Sequence, residues 1–162
     1  MNYYNEIAQG YEELHKEEQL KKIDFIKKHF KVKKNDKLLD VGCGTGLTTE
    51  SWECQRYGID PSEKLLEKAR KKNSKIEYAL ASAEKIPFPD NHFDVVISIT
   101  AIQNFNHIEN GLKEIKRVGN KRFVLSFLKK SQKKDIIEKL IRELFNVKQI
   151  LEEEKDLIYF IE

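Results

Sequence analysis

Thiol, thioether and indole side chains are scarce in this chain, which has two cysteines, one methionine and one tryptophan among 162 residues. Cys43 and Cys54 are too few for a disulfide framework and form no C-x-x-C metal pattern, so reduced thiols and a cytoplasmic setting are expected. No apolar run approaches the roughly 18 to 20 residues that a membrane span requires, and the first residues lack the apolar core of a secretory signal. Neither a membrane nor a metal is expected as a partner. Few thermolabile residues beside abundant Lys and Glu also match a balance reported for proteins that work hot.

A strong charge of one sign is missing as well. Lys and Arg number 30 against 27 Asp and Glu, a net charge of +3 that permits a polyanionic partner without announcing one. The excess is local. Between Lys121 and Arg142 stand Lys121, Arg122, Lys129, Lys130, Lys133, Lys134, Lys139 and Arg142 against Asp135 and Glu138, and a second basic cluster surrounds Arg70. Such runs are most often solvated helix faces.

The hydrophobic residues, 40% of the chain, suffice for one domain spanning 1–162. Apolar positions from Ile7 to Phe30 recur at threes and fours, predicting one or two helices in an N-terminal segment, 1–36. The remainder, 37–162, alternates strand and helix patterns. Lys37 to Val41, Tyr57 to Asp60, Ile76 to Ala81, Phe93 to Thr100 and Arg122 to Phe127 read as strands, with a helix in each gap. Val147 to Leu151 and Leu157 to Ile161 read as a closing antiparallel pair. The predicted fold is α/β, a Rossmann-like, doubly wound, mostly parallel seven-stranded sheet with an antiparallel C-terminal strand pair.

The chemistry concentrates where the first strand runs into glycines. Asp40-Val41-Gly42-Cys43-Gly44-Thr45-Gly46 lets a ligand approach bare backbone, and Asp60 follows at the end of the next strand. The spacing is not the dinucleotide G-x-G-x-x-G, whose third glycine would fall on Leu47, so a nicotinamide oxidoreductase is disfavoured.

This loop, Gly58-Ile59-Asp60-Pro61-Ser62 and the stretch from Ala83-Glu84-Lys85-Ile86-Pro87-Phe88 to Phe93-Asp94-Val95-Val96, in that order, resemble the class I S-adenosylmethionine-dependent methyltransferases, of the type 11 domain. The resemblance implies S-adenosylmethionine as cofactor and S-adenosylhomocysteine as product. It assigns cofactor contacts to Asp40 for the methionine amine, to Gly42, Cys43, Gly44 and Gly46 through backbone, and to Asp60 and Pro61 at the ribose. Ser82 and Ala83 fall at the adenine, with Ser82 in place of the family's usual Asp. Thr100 also counts among the cofactor contacts, and Tyr11, on a lid helix that also carries Tyr4, closes over the cofactor. A capping role for Asp60 and a packing role for the tyrosines are the alternatives.

Methyl transfer depends mainly on alignment and needs few catalytic groups. The acceptor side, Ser98 to Phe105, contains no Asp, Glu, Lys or Cys, which favours a lone-pair nucleophile such as a ring nitrogen. Gln103, Asn104 and His107 are the candidate catalytic residues, with Phe105 able to stack on a base. Alternatively, Ile102 and Phe105 pack beneath the next helix while Gln103 and Asn104 form an exposed turn. This stretch is similar to that of rRNA guanine-N7 methyltransferases and, more loosely, tRNA wobble-uridine methyltransferases, which implies an RNA acceptor and a small zinc-binding activator protein. A quinone-precursor methyltransferase and a non-catalytic adenosylmethionine-binding subunit are the competing functions.

Overall fold

The computed structural model describes residues 3–162, and of residues 3–9 and 11 the backbone alone. The chain divides into two compact units, 1–31 and 32–162, a boundary five residues earlier than the sequence pattern suggests. The first unit contains one helix, α1 (Tyr3–Lys27).

The second unit begins with β1 (Lys37–Val41), α2 (Leu47–Glu50), β2 (Gln55–Asp60), α3 (Glu63–Lys72) and β3 (Glu77–Leu80). It continues through β4 (Phe93–Ser98), α4 (Ile108–Val118), β5 (Gly119–Leu128), α5 (Lys134–Leu144), β6 (Val147–Glu152) and β7 (Asp156–Ile161). The strands form one sheet in the order β3-β2-β1-β4-β5-β7-β6. The first five run parallel, and β7 lies antiparallel between β5 and β6. The predicted fold is therefore borne out, with the second strand of the closing pair inserted against β5.

Unbroken burial from Leu38 to Val41 in β1 and from Val95 to Ser98 in β4 follows from their place at the middle of a sheet covered on both faces. Leu112, Ile115 and Val118 recur at helical spacing on α4 and bury one stripe against the sheet, in a core that includes Val96, Ile102 and Phe127. Strand order reverses at the parallel β1–β4 neighbour pair, since β2 and β3 lie to one side and β5 to the other. Ligands of open α/β sheets bind at such a switch point, at the carboxyl ends of the strands.

The sequence pattern placed a helix in every gap, yet residues 81–92, all described, form turns. Their cohesion comes from side chains reaching across from α4. The Arg117 guanidinium donates to both carboxylate oxygens of Glu114, to Asp90 Oδ1 and to the carbonyls of Phe88 and Ile86. Glu114 in turn accepts the Ile86 N–H. Glu84 ties the other end of the segment down by accepting the N–H groups of Asn106 and His107. Arg117 thus supplies the pairing that a crossover helix would satisfy internally.

Because hydrogen bonds to charged groups contribute about 1.5–3 kcal/mol each and one residue makes five here, Arg117→Leu is expected to cost at least about 2 kcal/mol. Equilibrium urea unfolding of the two proteins measures it, and equal midpoints would show that the clamp holds nothing.

Candidate functional site

Both walls of the switch-point crevice are made by loops leaving adjacent central strands. After β1 the chain takes positive φ at Gly42, Gly44 and Gly46, and after β4 it takes positive φ at Thr100. The two loops meet closely. A Cβ built on Gly42 would stand 2.7 Å from the Ala101 Cβ, so only glycine allows this approach, whereas a Cβ on Gly44 would meet nothing within 4 Å.

The amide hydrogens of the glycine loop are already engaged. Gly42 and Cys43 donate to the Ile59 carbonyl, Gly46 donates to the Cys43 carbonyl, and Gly44 donates to Asp60 Oδ2 at 2.9 Å. A phosphate cradle needs such donors free at the start of a helix, and the helix here, α2, has four residues. The loop therefore offers bare Cα surface and carbonyls in place of an anion site. A ligand at this loop would meet those groups and not the N–H groups of Gly42, Cys43 or Gly44, which are bonded within the protein.

Asp60 is buried, and each of its oxygens accepts one backbone N–H: Gly44 on Oδ2 and Ser62 on Oδ1. It ties the loop after β1 to the turn after β2. Capping of α3 falls instead to Ser62, whose side chain accepts the Leu65 N–H. The second lone pair of each Asp60 oxygen stays available to a charge-assisted bond.

Asp40 is the more unusual acid. Its Oδ2 accepts the hydroxyls of Thr48 and Thr49 on α2, while Oδ1 is buried without a hydrogen-bond partner among the described residues. Burial pushes its carboxyl up to about 6, against the two hydroxyls, which lower it, and with the Asp60 charge adding to the rise. Because the folded value lies above the ordinary 3.8, the associated stability is present at acid pH and is lost as pH rises through about 6. A donor brought to Oδ1 would reverse that loss.

Cys43 is buried, at 5% exposed. Burial, followed by the charges of Asp40 and Asp60, drives its thiol well above the ordinary range, which rules out a nucleophile. Sequence reasoning missed Tyr78. It faces Gly58 in the β2–β3 register, and its ring and hydroxyl fill the space that side chains at Gly58 and Gly46 would need. A glycine and a tyrosine in neighbouring strands were the available signal.

On the acceptor side Ile102 and Phe105 are core residues, the latter packed against Gly111, so Phe105 does not stack on a ligand. This corrects the stacking role. Gln103 is half-buried, its amide nitrogen donating to the Thr100 carbonyl at 2.8 Å and its Oε1 buried without a partner among the described residues. Asn104 and His107 are exposed, and His107 stands at the start of α4 with its backbone N–H on Glu84. Thr100 is half-buried with its hydroxyl on Asp156 Oδ2. Left-handed backbone at a β-branched residue costs on the order of 1–3 kcal/mol, which the surroundings must sustain. Ser82 is half-buried, Ala83 buried and Pro61 exposed, all following the carboxyl ends of β2 and β3. The Tyr11 side chain lies outside the described residues. No group of three His, Cys, Asp or Glu that could hold a metal occurs among the described residues.

A family model described as a methyltransferase domain matches residues 39–125. The chain belongs to this methyltransferase-domain family. The class I S-adenosylmethionine-dependent resemblance read from the glycine loop and Asp60 is thereby borne out. Among curated relatives, an uncharacterised methyltransferase of Schizosaccharomyces pombe is 36% identical, covering 54% of this chain and 37% of its own length. A ubiquinone/menaquinone biosynthesis C-methyltransferase of Chromobacterium violaceum is 37% identical, covering 60% of this chain and 46% of its own. The methyltransferase domain thus spans less than half the length of either relative. A SAM-dependent methyltransferase from Aquifex aeolicus shares the fold at TM-score 0.75 and 19% identity, covering 86% of this chain and 88% of that one. So does a chain in a complex between the Haloferax volcanii Trm112 methyltransferase activator and a methyltransferase, at TM-score 0.78 and 14% identity, covering 95% and 94%. No described helix is long and apolar enough to cross a membrane.

Gly44→Ala is expected to cost about 1–2 kcal/mol through left-handed strain alone. Gly42→Ala should cost about 1–3 kcal/mol more, from the collision with Ala101. Urea unfolding of the two variants gives the difference, and equal losses would mean that the two loops are not in contact in solution.

Proposed function

We propose that this domain moves a methyl group from S-adenosylmethionine to an acceptor by direct displacement. The observation that carries the reading is the pair of buried acids at the switch point: Asp60, each of whose oxygens accepts one backbone N–H and has a second lone pair, and Asp40, whose Oδ1 has no hydrogen-bond partner among the described residues. Those groups, together with spent loop amides, fit a ligand that brings an ammonium and a diol and no phosphate. The cofactor supplies a sulfonium whose methyl leaves with its bonding pair remaining on sulfur, as the acceptor's lone pair forms the new bond. The protein's part is to bind and align. Asp40 Oδ1 accepts from the ammonium, Asp60 accepts from the ribose hydroxyls, and Ser82 and the Ala83 amide stand at the adenine. Thr100, Gln103, Asn104 and His107 border the incoming nucleophile.

RNA is the proposed acceptor class, and basic residues near Gln103 support it: Lys133 Nζ donates to the Gln103 carbonyl at 3.0 Å, Lys134 follows as the first residue of α5, and Lys130 lies in the turn that precedes them. A quinone-precursor acceptor is the second reading, favoured by the curated relatives. A small activator protein belongs to the proposal on the fold likeness to the chain found in complex with Trm112. Radiolabelled S-adenosylmethionine incubated with fractionated cell extract separates these readings. Label in RNA that falls steeply with added salt supports the first, and label in a lipid-soluble fraction supports the second.

Asp60→Ala is expected to weaken S-adenosylmethionine binding at least about 100-fold in calorimetry, through two lost charge-assisted bonds. Unchanged affinity would remove Asp60 from the ribose. For Asp40 the signature is a proton. Since its carboxyl titrates at about 6 and the ammonium requires the anion, affinity should climb as pH rises through that value. Binding at about pH 5.5 should release a proton that binding at about pH 8 does not. Calorimetry in two buffers of different ionisation enthalpy detects it, and equal heats at both pH values would place the ammonium elsewhere.

A further inference from the structure

Thr100 holds a conformation that its side chain disfavours, and nothing in its immediate sequence accounts for it. With φ at +55° it is a β-branched residue in the left-handed region, at the carboxyl end of the central strand. The restraint arrives from far along the chain. Asp156, at the first position of β7 and fully buried, accepts the Thr100 hydroxyl on Oδ2 at 2.6 Å and the Ser126 hydroxyl on the same oxygen at 2.8 Å. Ser126 Oγ then accepts the Thr100 N–H at 2.9 Å. Side chain and amide of Thr100 are therefore both fixed from β5 and β7, across a separation of 56 residues for the Asp156 contact.

The consequences run in the other direction, into the site. The left-handed turn at Thr100 sets Ala101 against Gly42 of the glycine loop. It also presents the Thr100 carbonyl to the Gln103 amide nitrogen, which fixes the orientation of the carboxamide and leaves Oε1 without a partner among the described residues. One strained residue thereby sets the cofactor loop and the acceptor-side amide in a common register.

We propose that Asp156 is a positioning residue for methyl transfer: through Thr100 it holds the loop after β4 in the one arrangement that seats Ala101 on the glycine loop and orients Gln103. Asp156 touches neither cofactor nor acceptor. The proposal rests on the assignment of the glycine loop to S-adenosylmethionine, and it predicts a relation between substitutions that simple loss of packing would not produce. Removing the brace while the strain remains should disorder the loop. Removing the strain makes the brace unnecessary, because glycine adopts positive φ at no steric cost.

The test compares Asp156→Ala, Thr100→Ala, Thr100→Gly and the double variant Asp156→Ala/Thr100→Gly, with S-adenosylhomocysteine as the probe in calorimetry. Asp156→Ala and Thr100→Ala are each expected to weaken binding about tenfold, the scale of left-handed strain at a non-glycine residue. Thr100→Gly lacks the same hydroxyl and methyl groups as Thr100→Ala, so it should bind more tightly than Thr100→Ala by most of that factor, and the double variant should bind as Thr100→Gly alone does, since glycine removes the strain. Equal weakening by Thr100→Ala and Thr100→Gly overturns the proposal, as does failure of glycine to rescue the Asp156 variant.

If Asp156→Ala does not fold, the Ala and Gly variants at 100 still decide the matter. If wild type binds no S-adenosylhomocysteine, the cofactor reading fails by itself. The carboxamide N–H resonances of Gln103 in 15N NMR then test the brace without any ligand. They should be protected from solvent exchange in wild type and Thr100→Gly but exposed in Thr100→Ala, and the same protection in all three overturns the proposal.

Discussion

Two backbone loops approach at Gly42 and Ala101 more closely than any side chain on Gly42 would permit. That approach exists because β1 and β4 are neighbours whose chains depart in opposite directions, one towards β2 and the other towards β5. Everything functional in the domain is arranged about it. The glycine loop forms one wall, the residues after Ser98 form the other, and the acids that fix each wall lie just beneath. The contact also explains why the loop needs glycine there for space, while at Gly44 only the positive φ demands it.

Three buried aspartates divide the labour, and their hydrogen bonds show how. A carboxylate removed from water must recover its lost solvation from donors. Asp60 recovers it from two backbone N–H groups, so its burial is compensated while lone pairs remain for a ligand. Asp156 collects two hydroxyls on one oxygen and thereby organises the strand ends around it. Asp40 collects two hydroxyls on Oδ2 and, among the described residues, nothing on Oδ1, and its carboxyl rises accordingly. An incompletely satisfied buried acid is costly in the free domain. A cationic group brought to Oδ1 would offset that cost and so couple stability of the loop to occupancy of the proposed site.

The cofactor half of this arrangement was legible in sequence because it is local. Asp40 to Gly46 are contiguous and Asp60 ends the next strand; the fold followed from the alternation of strand and helix patterns, and the ligand class from the family resemblance that these residues carry. Tyr78 was missed since its role depends on the β2–β3 register, which no local pattern states. The absent helix between β3 and β4 was missed for a similar reason. Arg117, on the following helix, satisfies carbonyls of that segment that a crossover helix would have paired by itself. Phe105 looked available for stacking because an aromatic after a strand end has no local feature to distinguish a ligand platform from a residue packed on Gly111.

The acceptor half is illegible for a deeper reason. Thr100 is held by Ser126 and Asp156, one on each of two further strands, so the stretch proposed to meet the acceptor does not by itself encode its shape. Function in such folds resides in sites grafted onto a common scaffold. Here the graft has its anchor in β7, the antiparallel strand inserted beside β5. That insertion places a buried carboxylate at the carboxyl ends of parallel strands, where it can steer the loop that leaves β4. On the proposal made for Asp156, the closing strand pair belongs to the active-site architecture as well as to the edge of the sheet.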